Sequence, residues 1–108
     1  MSDIQKPNAE LFQQWEAAIF GAELGSAPSI DLHGMDVHDA TQAVEHFINQ
    51  GFMAGDQVIE IIHGKGTGVL RAAVHETLKN NPLVEYFREA QSVAKTTAVT
   101  YAVLARRT

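Results

Sequence analysis

Val58-Ile-Glu-Ile-Ile-His-Gly-Lys-Gly-Thr-Gly-Val-Leu70 changes character halfway along its length. Residues 58–63 form a near-continuous apolar run, the pattern of a strand covered on both faces. Gly64-Lys-Gly-Thr-Gly68 breaks the run, and a helical pattern follows, with Leu70, Ala73, Val74, Thr77 and Leu78 on one stripe. Thr67 is placed to cap this helix and Asn80-Asn-Pro82 to end it. Strand, glycine-rich turn and helix in that order specify an α/β unit. Backbone amides at such a turn, with Lys65 beside them, suit a phosphate group.

The elements on either side extend the same alternation. Residues 30–33, within Ile30-Asp-Leu-His-Gly34, read as a short strand. Asp36 then caps a helix, with Asp39 three residues on. Val37, Ala40, Val44, Phe47 and Ile48 fall on one helix face, and Gly51 is the expected terminator. Residues 84–90 and 98–105 read as strands joined by the loop 91–97, hence a hairpin. In the second of these, Val99, Tyr101 and Val103 share one face, with Thr100 and Leu104 on the other. The expected fold is α/β, a two-layer βαβαββ sandwich with a mixed four-stranded sheet and an extra N-terminal helix.

That extra helix starts at Asn8, a good N-cap, and carries Leu11, Phe12, Trp15 and Ile19 near one stripe. Gly21 and Gly25-Ser-Ala-Pro-Ser29 are expected to end it. Residues 1–28 are therefore read as helix and linker, 29–105 as the motif-bearing domain and 106–108 as a basic tail. A short helix is marginal alone in water. Phe12, Trp15 and Ile19 should hold it by contact, against its own sheet, a protein partner or a second copy. Deleting residues 1–24 is expected to leave the core folded.

A chain of 108 residues, 45% hydrophobic and 19% charged, fits one globular domain. It has no cysteine, which excludes disulfides and thiolate zinc sites. No apolar run approaches the roughly 20 residues that span a bilayer, and the N-terminus lacks signal-peptide order. A cytoplasmic address is expected. The net charge of −5 argues against a nucleic-acid binder. Its distribution argues the other way: residues 1–60 carry one cation against ten acids, whereas residues 61–108 carry seven cations against three acids. A locally positive face around Lys65 and Arg71 is compatible with that split.

In Asp31-Leu-His33 the outer two side chains share one face, with Cβ atoms about 7 Å apart. Both could reach one metal ion, one water or one phosphate. A parallel crossover brings His63 to the same sheet edge, where open α/β sheets bind ligands. Plainer roles exist for each residue. Asp31 could cap a turn, His33 and His63 could be structural, and the glycines could form an ordinary tight turn. The spacing matches neither the P-loop nor the dinucleotide fingerprint. His38, His46 and His75 read as surface residues, without the i, i+4 pairing of a helical zinc site. Trp15 and Phe12 read as packing rather than base stacking.

Ile30-Asp-Leu-His-Gly34 together with His63-Gly-Lys-Gly-Thr-Gly-Val-Leu-Arg71 resembles the small MutS-related (Smr) domain. The likeness runs through Asn81-Pro-Leu-Val84 and the last strand, covering about residues 29–105. It implies a βαβαββ sandwich related to the C-terminal domain of a bacterial translation initiation factor. It also implies endonuclease activity, on DNA in repair or recombination, or on messenger RNA at stalled ribosomes. The site it implies comprises Asp31, His33, Gly64, Lys65, Gly66 and Gly68. The residues themselves add His63 as a candidate acid and Thr67 and Arg71 as phosphate-binding neighbours. No cofactor is required on RNA, whose 2′-hydroxyl can attack; on DNA, Asp31 and His33 could hold Mg²⁺ or Mn²⁺ to activate water. The chain departs from the family in Ser92-Val-Ala-Lys-Thr-Thr97, which has one lysine and no glycine where a glycine-rich basic loop is common.

Overall fold

The computed structural model describes residues 8–107. Seven elements follow in order: α1 (Ala9–Leu24), β1 (Ser29–Asp31), α2 (Val37–Ala54), β2 (Val58–Ile62), α3 (Val69–Lys79), β3 (Val84–Glu89) and β4 (Val99–Leu104). The strands form one mixed sheet in the order β1-β2-β4-β3. β1 and β2 are parallel, with Asp31 opposite Ile62, whereas β4 is antiparallel to both β2 and β3. No helix among the described residues is long and apolar enough to cross a membrane.

The two faces of the sheet carry separate cores. On one, Ala40, Val44 and Ile48 of α2 and Val74 and Leu78 of α3 pack on Ile59, Ile61, Ala102 and Leu104. On the other, Ile19 of α1 is fully buried against Val58, Val99, Tyr101 and Val103. β4 is buried along its whole length because helices cover both faces. The alternation of Val99, Tyr101 and Val103 against Leu104 therefore falls on the faces its period requires.

The N-terminal helix docks on the chain's own sheet. Trp15 stacks on Tyr86 at 5.1 Å between ring centroids and Phe12 meets the same ring edge-on at 5.7 Å. Glu16 accepts hydrogen bonds from the Tyr86 hydroxyl and from Arg88 Nε, the latter at 2.8 Å. Burial and the bond to Glu16 push the Tyr86 hydroxyl up to about 12. Glu23 accepts from the backbone amides of Gln91 and Ser92, at 2.9 and 3.1 Å.

Caps and glycines adjust several boundaries. Asn8 and Asp36 cap α1 and α2 as expected, each accepting a backbone N–H three residues on. Gly21 lies inside α1, which ends at Gly25. Gly51 lies inside α2, and Gly55, left-handed at φ 80°, ends that helix. A Cβ at position 51 would sit 2.9 Å from Leu104 Cδ1 and 3.2 Å from Ile59 Cγ2. Gly51 thus permits the close approach of helix to sheet rather than a stop. At α3, Gly68 occupies the N-cap, and Thr67 Oγ1 reaches only Val69 N, at 3.4 Å.

Gly51→Leu should overpack this contact and lower stability by about 1–3 kcal/mol. Chemical denaturation would measure it, and an unchanged midpoint would show that the helix can move off the sheet at no cost.

Candidate functional site

β1 and β2 end side by side at one edge of the sheet; the first motif spans the end of β1 and the second begins just beyond β2. Leu32, fully buried, donates its N–H to Ile62 O at 2.9 Å, which ties the first motif to the second strand. Asp31 and His33 flank it on the exposed side. Asp31 Oδ1 accepts the backbone N–H of His33 at 2.9 Å, so the carboxylate shapes its own turn. The chain then turns through Gly34 at φ 82°.

The second motif has a rigid root and an open tip. His63 N and Gly64 N both donate to Ala98 O at 3.0 Å, fixing the start of the turn to the end of the hairpin. Gly64, Gly66 and Gly68 have φ values of 77°, 32° and 89°, a region that side-chain-bearing residues rarely adopt. Open space surrounds the Cβ position of each. The glycines are required by backbone conformation, and the tip remains approachable. Residues 63–71 line a shallow depression of about 170 Å³, with Leu70 and Arg71 closing one side. Asp31 and His33 share the sheet edge but not the lining of this depression.

His63 is only 5% exposed, and both ring nitrogens are engaged. Nδ1 lies 3.0 Å from Gly64 O and Nε2 lies 2.9 Å from Thr100 Oγ1. The same hydroxyl lies 2.9 Å from Nε2 of His75. His75 reads from the sequence as a surface residue. It is instead half-buried on α3, edge-on to His63 at 5.9 Å and against Phe87 at 5.4 Å. Glu89 completes the cluster, paired with Arg71 and 3.9 Å from His75. Burial pushes both histidines below the ordinary value, partly offset at His63 by the Gly64 carbonyl and at His75 by Glu89.

The positive half of the sequence is not one positive face. Arg88 pairs with Glu16 and Glu23, Lys95 with Glu60, and Arg71 with Glu89. Arg107 donates to Met53 O at 2.6 Å. Around the turn, Lys65 and the outer part of Arg71 supply the positive charge. Among the described residues no group of three or more His, Asp or Glu could hold a metal ion. Any ion bound by Asp31 and His33 would take its remaining ligands from water and phosphate. A larger cavity of about 630 Å³ lies at the opposite end of the sheet, between Trp15, Gln57 and Arg106.

The family profile described as Smr domain matches residues 30–105, and the chain belongs to that family. Endonuclease MutS2 of Clostridium perfringens (strain SM101 / Type A) is 39% identical over 77 residues, which is 71% of this chain and 10% of that protein. Endonuclease MutS2 of Clostridium novyi (strain NT) is 45% identical over 62 residues, 57% of this chain and 8% of that protein. The chain thus spans no more than a tenth of these relatives. The solved Smr domain of Thermus thermophilus MutS2 superposes with a TM-score of 0.70 at 32% identity, covering 72% of this chain and 98% of that one. YdaL, a stand-alone small MutS-related protein from Escherichia coli, gives 0.67 at 26% identity, covering 73% and 64%.

The two buried imidazoles make stability depend on pH. Because their pKa values are lowered from 6.5, the unfolded chain binds more protons below that pH. Their contribution is complete above 6.5 and is lost as the pH falls through the folded-state values. The melting temperature should fall as pH drops from about 7.5 to 5, and His75→Phe should flatten the slope. Equal slopes for parent and variant would show that His75 is not held neutral.

Proposed function

We propose that this chain is an endonuclease of the Smr type, cleaving phosphodiester bonds in RNA or structured DNA. The observation that carries this reading is the open glycine turn with Lys65 and Arg71, set at the same sheet edge as Asp31 and His33. Positive-φ glycines leave the turn backbone approachable, and Gly68 at the N-cap of α3 brings no capping side chain, so the Leu70 and Arg71 amides beyond Val69 are available to a phosphate. MutS2 relatives named as endonucleases support the activity. Roles in DNA repair or in cleavage of messenger RNA would follow from the substrate class.

Cleavage needs a base, a proton for the leaving oxygen and positive charge on the transition state. In this reading exposed His33 takes a proton from the RNA 2′-hydroxyl or from water, with Asp31 holding the backbone that presents it. Lys65 and the turn amides stabilise the developing phosphoryl charge. His63, with both nitrogens engaged, shapes the turn, and water protonates the leaving oxygen. On DNA His33 would be either that base or a metal ligand, not both: a divalent ion at Asp31 and His33 would lower the pKa of the attacking water, and solvent would then take the proton.

One observation favours a second reading, a phosphate-gripping module without chemistry: no hydrogen bond orients the His33 ring among the described residues. His33→Ala separates the two. Incubated with RNA, duplex DNA and branched DNA, each with Mg²⁺, Mn²⁺ or EDTA, the parent should cut at least one substrate. The variant should lose about 10²-fold or more in rate while binding persists. Equal rates would remove His33 from the chemistry. Gly66→Val should weaken nucleic-acid binding more than it lowers the melting temperature, since a β-branched residue resists φ above zero. Unchanged binding in a salt titration would leave the turn as a structural corner only.

A further inference from the structure

The cluster behind the turn has more polar organisation than a corner requires. Gly64 O can only accept, so the proton on His63 resides on Nδ1, and Nε2 is left as an acceptor. Thr100 Oγ1 must then donate its single proton to His63 Nε2. That leaves a lone pair of the hydroxyl for the N–H of His75 Nε2. The bonds run in one direction, from His75 through Thr100 and His63 to the Gly64 carbonyl. Thr100 is fully buried, so its proton has no solvent alternative. The charged and titratable groups facing this chain are Arg71 and His75 from α3 and Glu89 from β3.

The far end of the chain acts on the turn through peptide geometry. In a planar trans peptide the carbonyl of one residue and the N–H of the next point in opposite directions. The Gly64 carbonyl is held inward by His63, so the Lys65 N–H of the same peptide is directed outward, away from the core. With the other tautomer, His63 would present a lone pair to Gly64 O, and that peptide would lose its anchor. We propose that Thr100 and His75 are positioning residues, which lock the tautomer of His63 and thereby aim the Lys65 backbone amide at a bound phosphate. This rests on the reading of the turn as a phosphate-binding element, and it adds the atom that binds and the two residues that orient it.

Nuclear magnetic resonance of ¹⁵N-labelled protein near pH 7.5 reads the tautomer directly, whether or not any nucleic acid is cut. His63 should be protonated at Nδ1 in the parent. Thr100→Val, which keeps the shape and removes the hydroxyl, should give a mixture of tautomers and move the Lys65 amide resonance. Thr100→Ser should restore both. His75→Phe should shift the tautomer in the same direction by less, and it serves where the valine variant is unstable. Binding of a short single-stranded RNA should weaken by about tenfold in Thr100→Val, the equivalent of one hydrogen bond, and recover in Thr100→Ser. An Nε2-protonated His63 in the parent, or an unchanged tautomer in both Thr100→Val and His75→Phe, would overturn the proposal. So would full RNA affinity in a Thr100→Val protein whose tautomer has changed. If the parent itself binds no RNA or DNA, the functional reading fails, and the phosphate role of the Lys65 amide fails with it. The nitrogen shifts would still decide the tautomer lock.

Discussion

A buried imidazole carries two ring nitrogens that must both be satisfied, because an unpaired polar group away from water costs about 1–3 kcal/mol. His63 meets this requirement with one bond to its own turn and one to the next strand but one in the chain. The requirement links the end of β2 to the start of β4 and, through the Thr100 hydroxyl, to the middle of α3. Thr100 can serve two histidines only because β4 runs between β2 and β3 and α3 lies over that face. The sheet order and the conformation of the glycine turn thus share one hydrogen-bonded junction. The Ala98 carbonyl, which accepts from both His63 and Gly64, adds a second tie at the same level.

Much of this architecture is legible in the residue pattern because it follows from local physics. The apolar run of β2, the Asp36 cap and the two alternating faces of β4 depend on neighbours within a turn or a strand. What stayed hidden depends on contacts far along the chain. Gly51 reads as a helix stop because glycine disfavours helix interiors; its reason for being there is the side chain of Leu104, 53 positions on. His75 reads as surface because it lies off the main apolar stripe of α3. The groups that bury it, Thr100 and Phe87, come from β4 and β3. One signal was available: Thr100 is a hydroxyl on the sheet face that it shares with Leu104, a position that asks for a partner.

The charge split misleads for the same reason. Counted along the chain, acids precede bases; folded, α1 and β2 bring acids onto the bases. Glu16 and Glu23 meet Arg88, and Glu60 meets Lys95. The Glu16 and Glu23 pairs join α1 to the sheet and the Glu60 pair ties the hairpin loop to β2, leaving less free positive charge than the tally suggests. The site's electrostatics therefore rest on few groups, Lys65, the outer part of Arg71 and the turn amides, acting over short range. Long-range attraction to a polyanion is weak for a chain of net charge −5, and short-range geometry has to supply the selectivity.

That division of labour gives α1 a role at the site although it lies before the matched residues 30–105. Its Glu23 carboxylate accepts the amides of Gln91 and Ser92, at the start of the loop that joins β3 to β4. At the other end of that loop, Ala98 holds His63 and Gly64. Lys95 within the loop pairs with Glu60 on β2. The loop is thus fixed at both ends and in its middle, with no glycine to loosen it. A hairpin loop that is short of positive charge can still serve the turn mechanically, by keeping the Ala98 carbonyl where two amides need it. The helix stabilises the loop, the loop holds the root of the turn, and the tip of the turn remains open.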